Sequence, residues 1–244
     1  SSPETDVNFA FCKYYDLVRN NLAHNKCAFL VLEKCDITLG KYLLKIIDTP
    51  ISFVVFKSLL FMIIYTIYAI HRIYPRFRHY DLHTDNIMLN FDHGYKFKID
   101  DPKFLIFHID GETYSIPYFG IIPKIIDFGS GSLPEENIIS NWTENVAQMY
   151  YRSDNDLLLL FHNIYHTLRN IGEDKIGGID KLMSTLEPNR TYVQYYTQYI
   201  RKVEHKIPSY SEMIKNNVWR EYKKYKIPKN QIYNEFTPVE EILT

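Results

Sequence analysis

The sequence predicts an α+β fold, mainly α-helical with one small β insert, on three observations. Residues 51–70, ISFVVFKSLLFMIIYTIYAI, are long and apolar on every face. Residues 156–169, DLLLLFHNIYHTLR, carry apolar side chains at helical spacing. Between them FLIFHI, Asp110-Gly111 and ETYSIPY place two β-type runs around the dipeptide that most strongly marks a hairpin. The chain has 244 residues, of which 46% are hydrophobic. That is enough length for one or two compact domains and too much apolar content for a disordered chain. No internal repeat, low-complexity tract or linker interrupts it, so one domain is the economical reading.

Taken in order, residues 28–32 read as a short apolar strand that runs into a polar connector. Residues 39–47, LGKYLLKII, have helical spacing. A long helix follows over 52–74, ended by Pro75, whose ring and missing N–H cannot continue it. By length and hydropathy this helix also passes for a membrane span. Lys57 near its middle, the polar Ser52, Ser58 and Thr66, and the polar HRIYPRFRHYDLH directly after it favour a helix buried in protein. No membrane partner is expected. The loop HYDLHTDN and an apolar run at 87–89 come next, then the hairpin, then a strand at 124–126 that stops at Asp127-Phe128-Gly129. Helices are expected at 156–169 and about 192–204, and in parts of the charged, aromatic tail beyond Pro208.

Composition excludes several functions. Lys+Arg 28 against Asp+Glu 29 leaves a formal net charge of -1, with no chain-wide basic field for a nucleic acid backbone. The basic, aromatic run WREYKKYK at 219–226 reads as a solvated helix face. Cys12, Cys27 and Cys35 are odd in number and lack CxxC spacing, which argues against a disulfide scaffold or structural zinc. With no signal-peptide pattern, an intracellular location is expected.

Chemistry concentrates in two short motifs. HYDLHTDN sets His79, Asp81 and Asn86 in the pattern HxDxxxxN, after the apolar helix and before an apolar strand. KIIDFG then ends a second strand with an acid, Asp127. Phosphoryl transfer to a hydroxyl needs one carboxylate to take the hydroxyl proton and separate oxygen ligands for the Mg2+ that neutralises the triphosphate. Asp81 is the candidate base, and Asn86 and Asp127 are the candidate metal ligands.

The joint motif resembles the protein kinase superfamily, whose catalytic loop and DFG segment share this form and order. His83, where most protein kinases carry Lys, is typical of haspin-like kinases and also of aminoglycoside and choline kinases. The long insert ending SIPYFGIIPKIIDFG resembles the haspin pattern, and LVLEKCD resembles a kinase hinge. The similarity covers most of residues 28–170. Haspin-like protein kinases are therefore the leading resemblance, with related enzymes of large DNA viruses a close variant suggested by the abundance of Ile, Tyr, Phe, Asn and Lys.

The resemblance implies a protein-kinase-like fold, with residues 1–35 as an N-lobe remnant and hinge strand and 36–244 as the C-lobe. It makes Leu32 the gatekeeper and sets the Glu33 carbonyl and Cys35 amide on the adenine edge. Asp36 or Thr38 would reach the ribose, Met88 would floor the base, and Ile126 would join them in the nucleotide site. His83 would approach the γ-phosphate or the acceptor hydroxyl, and His79 would brace the loop against the DFG segment. Asp156, or Asp154, would tie the loop's amides. The implied activity is transfer of the ATP γ-phosphate to a Ser or Thr hydroxyl of a protein, with ATP and Mg2+ as cofactors, inside the cell or in a virion. The pattern departs from the family in several respects: no glycine precedes Gly40, so no glycine-rich phosphate loop lies upstream of the hinge, no strand lysine or helix glutamate of the family's phosphate clamp can be placed there, and no APE-type motif follows Asp127-Phe128-Gly129. A kinase-derived binding module and a small-molecule kinase of the aminoglycoside or choline class are the two alternatives.

Overall fold

A computed structural model describes residues 19–20, 33–46, 52–136, 155–169, 173–194, 207–223 and 227–236. The chain divides into a unit Ser1–Lys34 and a unit Cys35–Thr244, and the elements below belong to the second. The strand expected at 28–32 lies outside the described residues.

Two helices open the unit: α1 (Leu39–Ile46), which follows the two-residue strand β1 (Ile37–Thr38), and α2 (Ser52–Ile73). The long apolar helix is a buried helix. From Val55 to Tyr65 every side chain is buried, including Phe56, Leu60, Phe61 and Ile64 at 1% exposure or less. Each such side chain contributes roughly 1.5–3 kcal/mol when taken out of water, which outweighs the modest intrinsic helix preference of β-branched Ile and Val. By length and composition alone, Phe53–Ile73 would cross a membrane. Its interior cation is accounted for within the protein: Lys57 Nζ lies 2.8 Å from Glu221 Oε1 and over the rings of Trp219 and Tyr222.

Five further strands make two sheets. β2 (Ile87–Phe91) lies between β1 and β5 (Ile121–Ile125), antiparallel to both. The hairpin β3 (Lys103–Ile109) and β4 (Glu112–Tyr118) forms a second sheet with β6 (Ile232–Phe236). Asp110 and Gly111 turn the hairpin with φ 48 and 80, the left-handed pair that the Asp-Gly dipeptide accommodates. The Asp110 carboxylate also accepts from Tyr68 Oη at 3.1 Å and Arg72 Nη1 at 2.9 Å and pairs with Lys215 Nζ at 2.5 Å, pinning the tip to α2.

α3 (Asn155–Arg169), α4 (Glu173–Leu186) and the short α5 (Tyr210–Ile214) complete the helices among the described residues. α3 packs Leu157, Leu160, Phe161 and Ile164 into the core that α2 fills. One sequence expectation fails here, and the tail, helical in parts as expected, adds a strand. Instead of an α-helix from 192, residues Thr191–Gln194 form a 3-10 turn, held where Glu187 accepts the Thr191 amide and hydroxyl; residues 195–204 lie outside the described residues. The tail combines α5 and a 3-10 segment, Asn217–Lys223, with a strand, β6, that the sequence reading did not contain.

Candidate active site

The loop leaves α2 through Pro75 and enters the site at Arg78, whose N–H and carbonyl pair with Ser132 at 3.0 and 2.8 Å. That bridge sets the HxDxxxxN loop beside the segment following Asp127. Gly131 has to be glycine there: a Cβ would stand 2.9 Å from the Phe128 carbonyl and 3.3 Å from that of Arg78.

Asp156, at the start of α3 and 2% exposed, fixes the loop's first residues. Its Oδ2 accepts the His79 amide at 2.8 Å and its Oδ1 the Tyr80 amide at 2.9 Å. Of the two acids expected to tie these amides, Asp156 does so, and Asp154 lies outside the described residues. Burial pushes the Asp156 carboxyl up, and the two amides and the nearby cationic groups oppose it. Tyr80 between them adopts φ 64, a left-handed conformation that costs an L-residue about 1–2 kcal/mol unless its surroundings hold it.

His79 joins the two acidic segments. Its Nε2 donates to the Ile126 carbonyl at 2.9 Å, so Nδ1 is the acceptor, and it takes the Asp81 amide at 3.3 Å. The Ile126 amide in turn donates to the Asn86 carbonyl at 3.0 Å. Asp127 follows at once, with φ 60 and ψ 61, exposed and with no capping hydrogen bond to the 3-10 turn Phe128–Ser130. It is therefore not serving as a turn cap. Gly129 keeps this turn open, since a Cβ would come 3.3 Å from Asp127 Oδ1.

Asp81 sits between Asn86 and His83. Asn86 Nδ2 donates to the Asp81 backbone carbonyl at 2.8 Å and to its Oδ2 at 3.1 Å. His83 Nε2 lies 3.6 Å from Asp81 Oδ1, while His83 Nδ1 accepts the Asp85 amide at 3.2 Å. With its nitrogen committed, the Asn86 side chain has its carbonyl oxygen left to offer a cation. The Asp81 side chain is 41% exposed, open enough for a hydroxyl to approach.

The expected nucleotide residues fall partly on one sheet. Asp36 joins β2 through its amide, 2.9 Å from the Leu89 carbonyl. Met88, opposite Thr38 on one side and Lys124 on the other, alternates with the buried Ile87 and Leu89 and so faces away from the core. Cys35 is half-buried, and Ile126 continues β5 into the site. Asp36 has both oxygens engaged, one with the Phe91 amide at 2.7 Å and one with His93 Nε2 at 2.9 Å. The Thr38 hydroxyl donates to Asp85 at 2.9 Å. Leu32 lies outside the described residues, and Glu33 belongs to the other unit.

No sequence signal marked Asp85 and His93 as partners of this segment. Gly40 was a usable signal: a Cβ there would meet Thr84 Oγ1 at 2.9 Å, so α1 rests directly on the loop.

Among the described residues no group of three or more His, Cys, Asp or Glu side chains is poised to hold a metal. The donors present are Asn86 Oδ1 and the Asp127 carboxylate, both hard oxygen ligands. They suit Mg2+, which keeps several waters and binds through one or two carboxylates plus substrate phosphates.

Over an alignment of 148 positions that covers 57% of this chain, it is 27% identical to R301 of Acanthamoeba polyphaga mimivirus, whose name gives it provisionally as a serine/threonine-protein kinase. The match spans 35% of that relative's length. No family model matches the chain. No solved structure matches it either. The likeness is a kinase-like relationship, of viral origin on the relative's side.

Proposed function

We propose that this chain carries the catalytic half of a haspin-like Ser/Thr protein kinase that moves the γ-phosphate of ATP to a protein hydroxyl. The observation that carries the reading is His79, whose two nitrogens tie the Asp81 amide to the carbonyl preceding Asp127. A base and a metal-binding acid acting on one phosphoryl group need such a fixed mutual position. The kinase-like relative supports the same reading.

In this mechanism Asp81 accepts a hydrogen bond from the acceptor Ser or Thr hydroxyl and takes its proton as the oxygen attacks the γ-phosphorus. The bond from that phosphorus to the bridging oxygen breaks, and ADP leaves with the electron pair. Asn86 Oδ1 and the Asp127 carboxylate would hold Mg2+, which when bound would offset the charge of the phosphates. Asn86 also orients Asp81 through the 3.1 Å bond to its Oδ2. His83, 3.6 Å from Asp81 on the other side, faces the incoming hydroxyl and the transferred phosphate. Cys35, Asp36, Met88 and Ile126 flank the nucleotide.

The test is transfer of labelled γ-phosphate from Mg-ATP to Ser/Thr peptides, proteins, choline and an aminoglycoside. Label on a peptide or protein, lost in Asp81→Asn, is the expected result. Label on choline or the aminoglycoside assigns the site to small-molecule phosphorylation. A folded protein that labels nothing, alone or within a longer natural chain, overturns the reading in favour of a kinase-derived binding module.

A further inference from the structure

Asp85 is exposed between the buried Thr84 and Asn86 of one 3-10 turn, yet its side chain and its backbone are both engaged. Its Oδ1 accepts the Thr38 hydroxyl at 2.9 Å. Its amide donates to His83 Nδ1 at 3.2 Å. The first bond joins residues 47 positions apart and ties the turn to β1.

The Thr38 hydroxyl is fully committed. It gives its one hydrogen to Asp85 and accepts the Lys41 amide at 3.3 Å, capping the first turn of α1. A ribose would have to break one of these bonds to use it. α1 itself is set against the same turn, because a Cβ on Gly40 would come 2.9 Å from Thr84 Oγ1 and 3.2 Å from Asp85 Oδ1. Thr38 also pairs with Met88 in the ladder between β1 and β2. The anchor of Asp85 therefore belongs to the sheet that carries the expected nucleotide residues.

At the other end, an N–H donated to Nδ1 leaves the neutral His83 ring its hydrogen on Nε2. That nitrogen lies 3.6 Å from Asp81 Oδ1. A free imidazole can offer either nitrogen, whereas one capped at Nδ1 offers Nε2 alone and in one direction.

We propose that Asp85 is a positioning residue: held by Thr38, it keeps its amide on His83 and thereby aims Nε2 at Asp81 and the transferred phosphate. This role rests on the phosphoryl-transfer reading above. It links the strand beside the nucleotide to the ring beside the base.

The experiment combines nitrogen NMR of the full 244-residue chain carrying isotope-labelled histidine, with His83→Gln assigning the His83 signals, and γ-phosphate transfer to a Ser/Thr peptide. In the parent, neutral His83 should show a bare Nδ1 and a protonated Nε2. Asp85→Ala and Thr38→Val should each mix the two tautomers and lower kcat about tenfold, with KM for ATP within about twofold of the parent and unchanged far-UV circular dichroism. The double variant should be no worse than the poorer single one, because both cut the same tie. Asp85→Asn and Thr38→Ser, which keep the acceptor and the donor, should recover most of the loss. Parent-like His83 signals and kcat in both Asp85→Ala and Thr38→Val overturn the role, as do additive losses in the double variant or a loss confined to KM for ATP. A parent that transfers nothing overturns the phosphoryl-transfer reading and this role with it, while the His83 signals report the hold of Asp85 on the ring independently of turnover.

Discussion

The His79 imidazole reaches across to the Ile126 carbonyl at 2.9 Å while its other nitrogen takes the Asp81 amide at 3.3 Å. At 1% exposure it has no water to replace either bond. His79→Leu strands a buried carbonyl and an amide, so it should cost about 2–3 kcal/mol in denaturant unfolding. If the kinase reading holds, turnover should fall further than the loss of folded protein accounts for. A variant with parent-like stability would show that the ring does not join the two segments.

The proposed kinase reading gives Asp81 and Asp127 separable roles. Asp81→Asn should bind Mg-ATP like the parent and lose roughly 10²–10⁴-fold in kcat. Asp127→Ala should lose the Mg2+ dependence of nucleotide binding itself. Calorimetric titration with and without Mg2+ separates them, and an Asp81→Asn variant that turns over normally removes Asp81 as the base.

Asp156 is buried and holds two amides at once. Asp156→Asn turns an acceptor into a donor facing one of those N–H groups, and should cost roughly 3 kcal/mol. Because Tyr80 keeps φ 64 only under that hold, adding Tyr80→Gly should recover about 1 kcal/mol by removing the Cβ penalty. Guanidinium melts of the single and double variants measure both, and additive losses would contradict the coupling.

His71 supplies a pH dependence. Its ring packs against Tyr210 and Phe77, and its Nε2 is buried with no hydrogen-bond partner among the described residues. Burial, helped by the Arg78 charge, pushes its pKa down to about 4. The unfolded chain therefore takes up this proton near pH 6.5, before the folded protein does. The associated stability is complete above that pH and is lost as pH falls towards about 4. Allowing for solvent screening at the partly exposed ring, the loss is on the order of 2 kcal/mol. His71→Phe should flatten this part of the stability profile, and an unchanged slope would refute the assignment.

Lys57 tests how α2 carries its cation. Lys57→Met replaces a buried charge by a side chain of similar length and should be neutral or stabilising. Glu221→Gln leaves the ammonium over Trp219 and Tyr222 without its carboxylate, and should be the more damaging change by about 1 kcal/mol. Thermal melts that reverse this order would show that the pair, rather than the packing of the stem, stabilises the helix.

Local chemistry explains which parts could be read in advance. The hairpin turned where Asp110-Gly111 marked it, and α2 ran to Ile73 because Pro75 and the polar residues after it leave no apolar face to bury. The loop order from His79 to Asn86 was legible because one short segment carries all its donors. β6 was not, because its ladder to β3 is made with residues more than a hundred positions earlier. α4 was equally hidden: Gly177 and Gly178 inside it lower helix propensity. Gly178 is explained only by a neighbour distant in sequence, since a Cβ there would stand 3.1 Å from the Phe53 ring. The His93 tie to Asp36 likewise joins residues 57 positions apart, which no local pattern reports.

The parallel pairing of β6 with β3 sets an order of assembly. During synthesis the hairpin emerges long before residues 232–236, so β3 waits with one edge unpaired and Phe107 without the ring of Phe236 that later stacks on it at 4.5 Å. An open edge flanked by aromatic side chains is a template for pairing with another chain. Closing so long a loop is also entropically slow. Folding cannot finish until residue 236 has cleared the ribosome, and in that interval this edge is where self-association would begin.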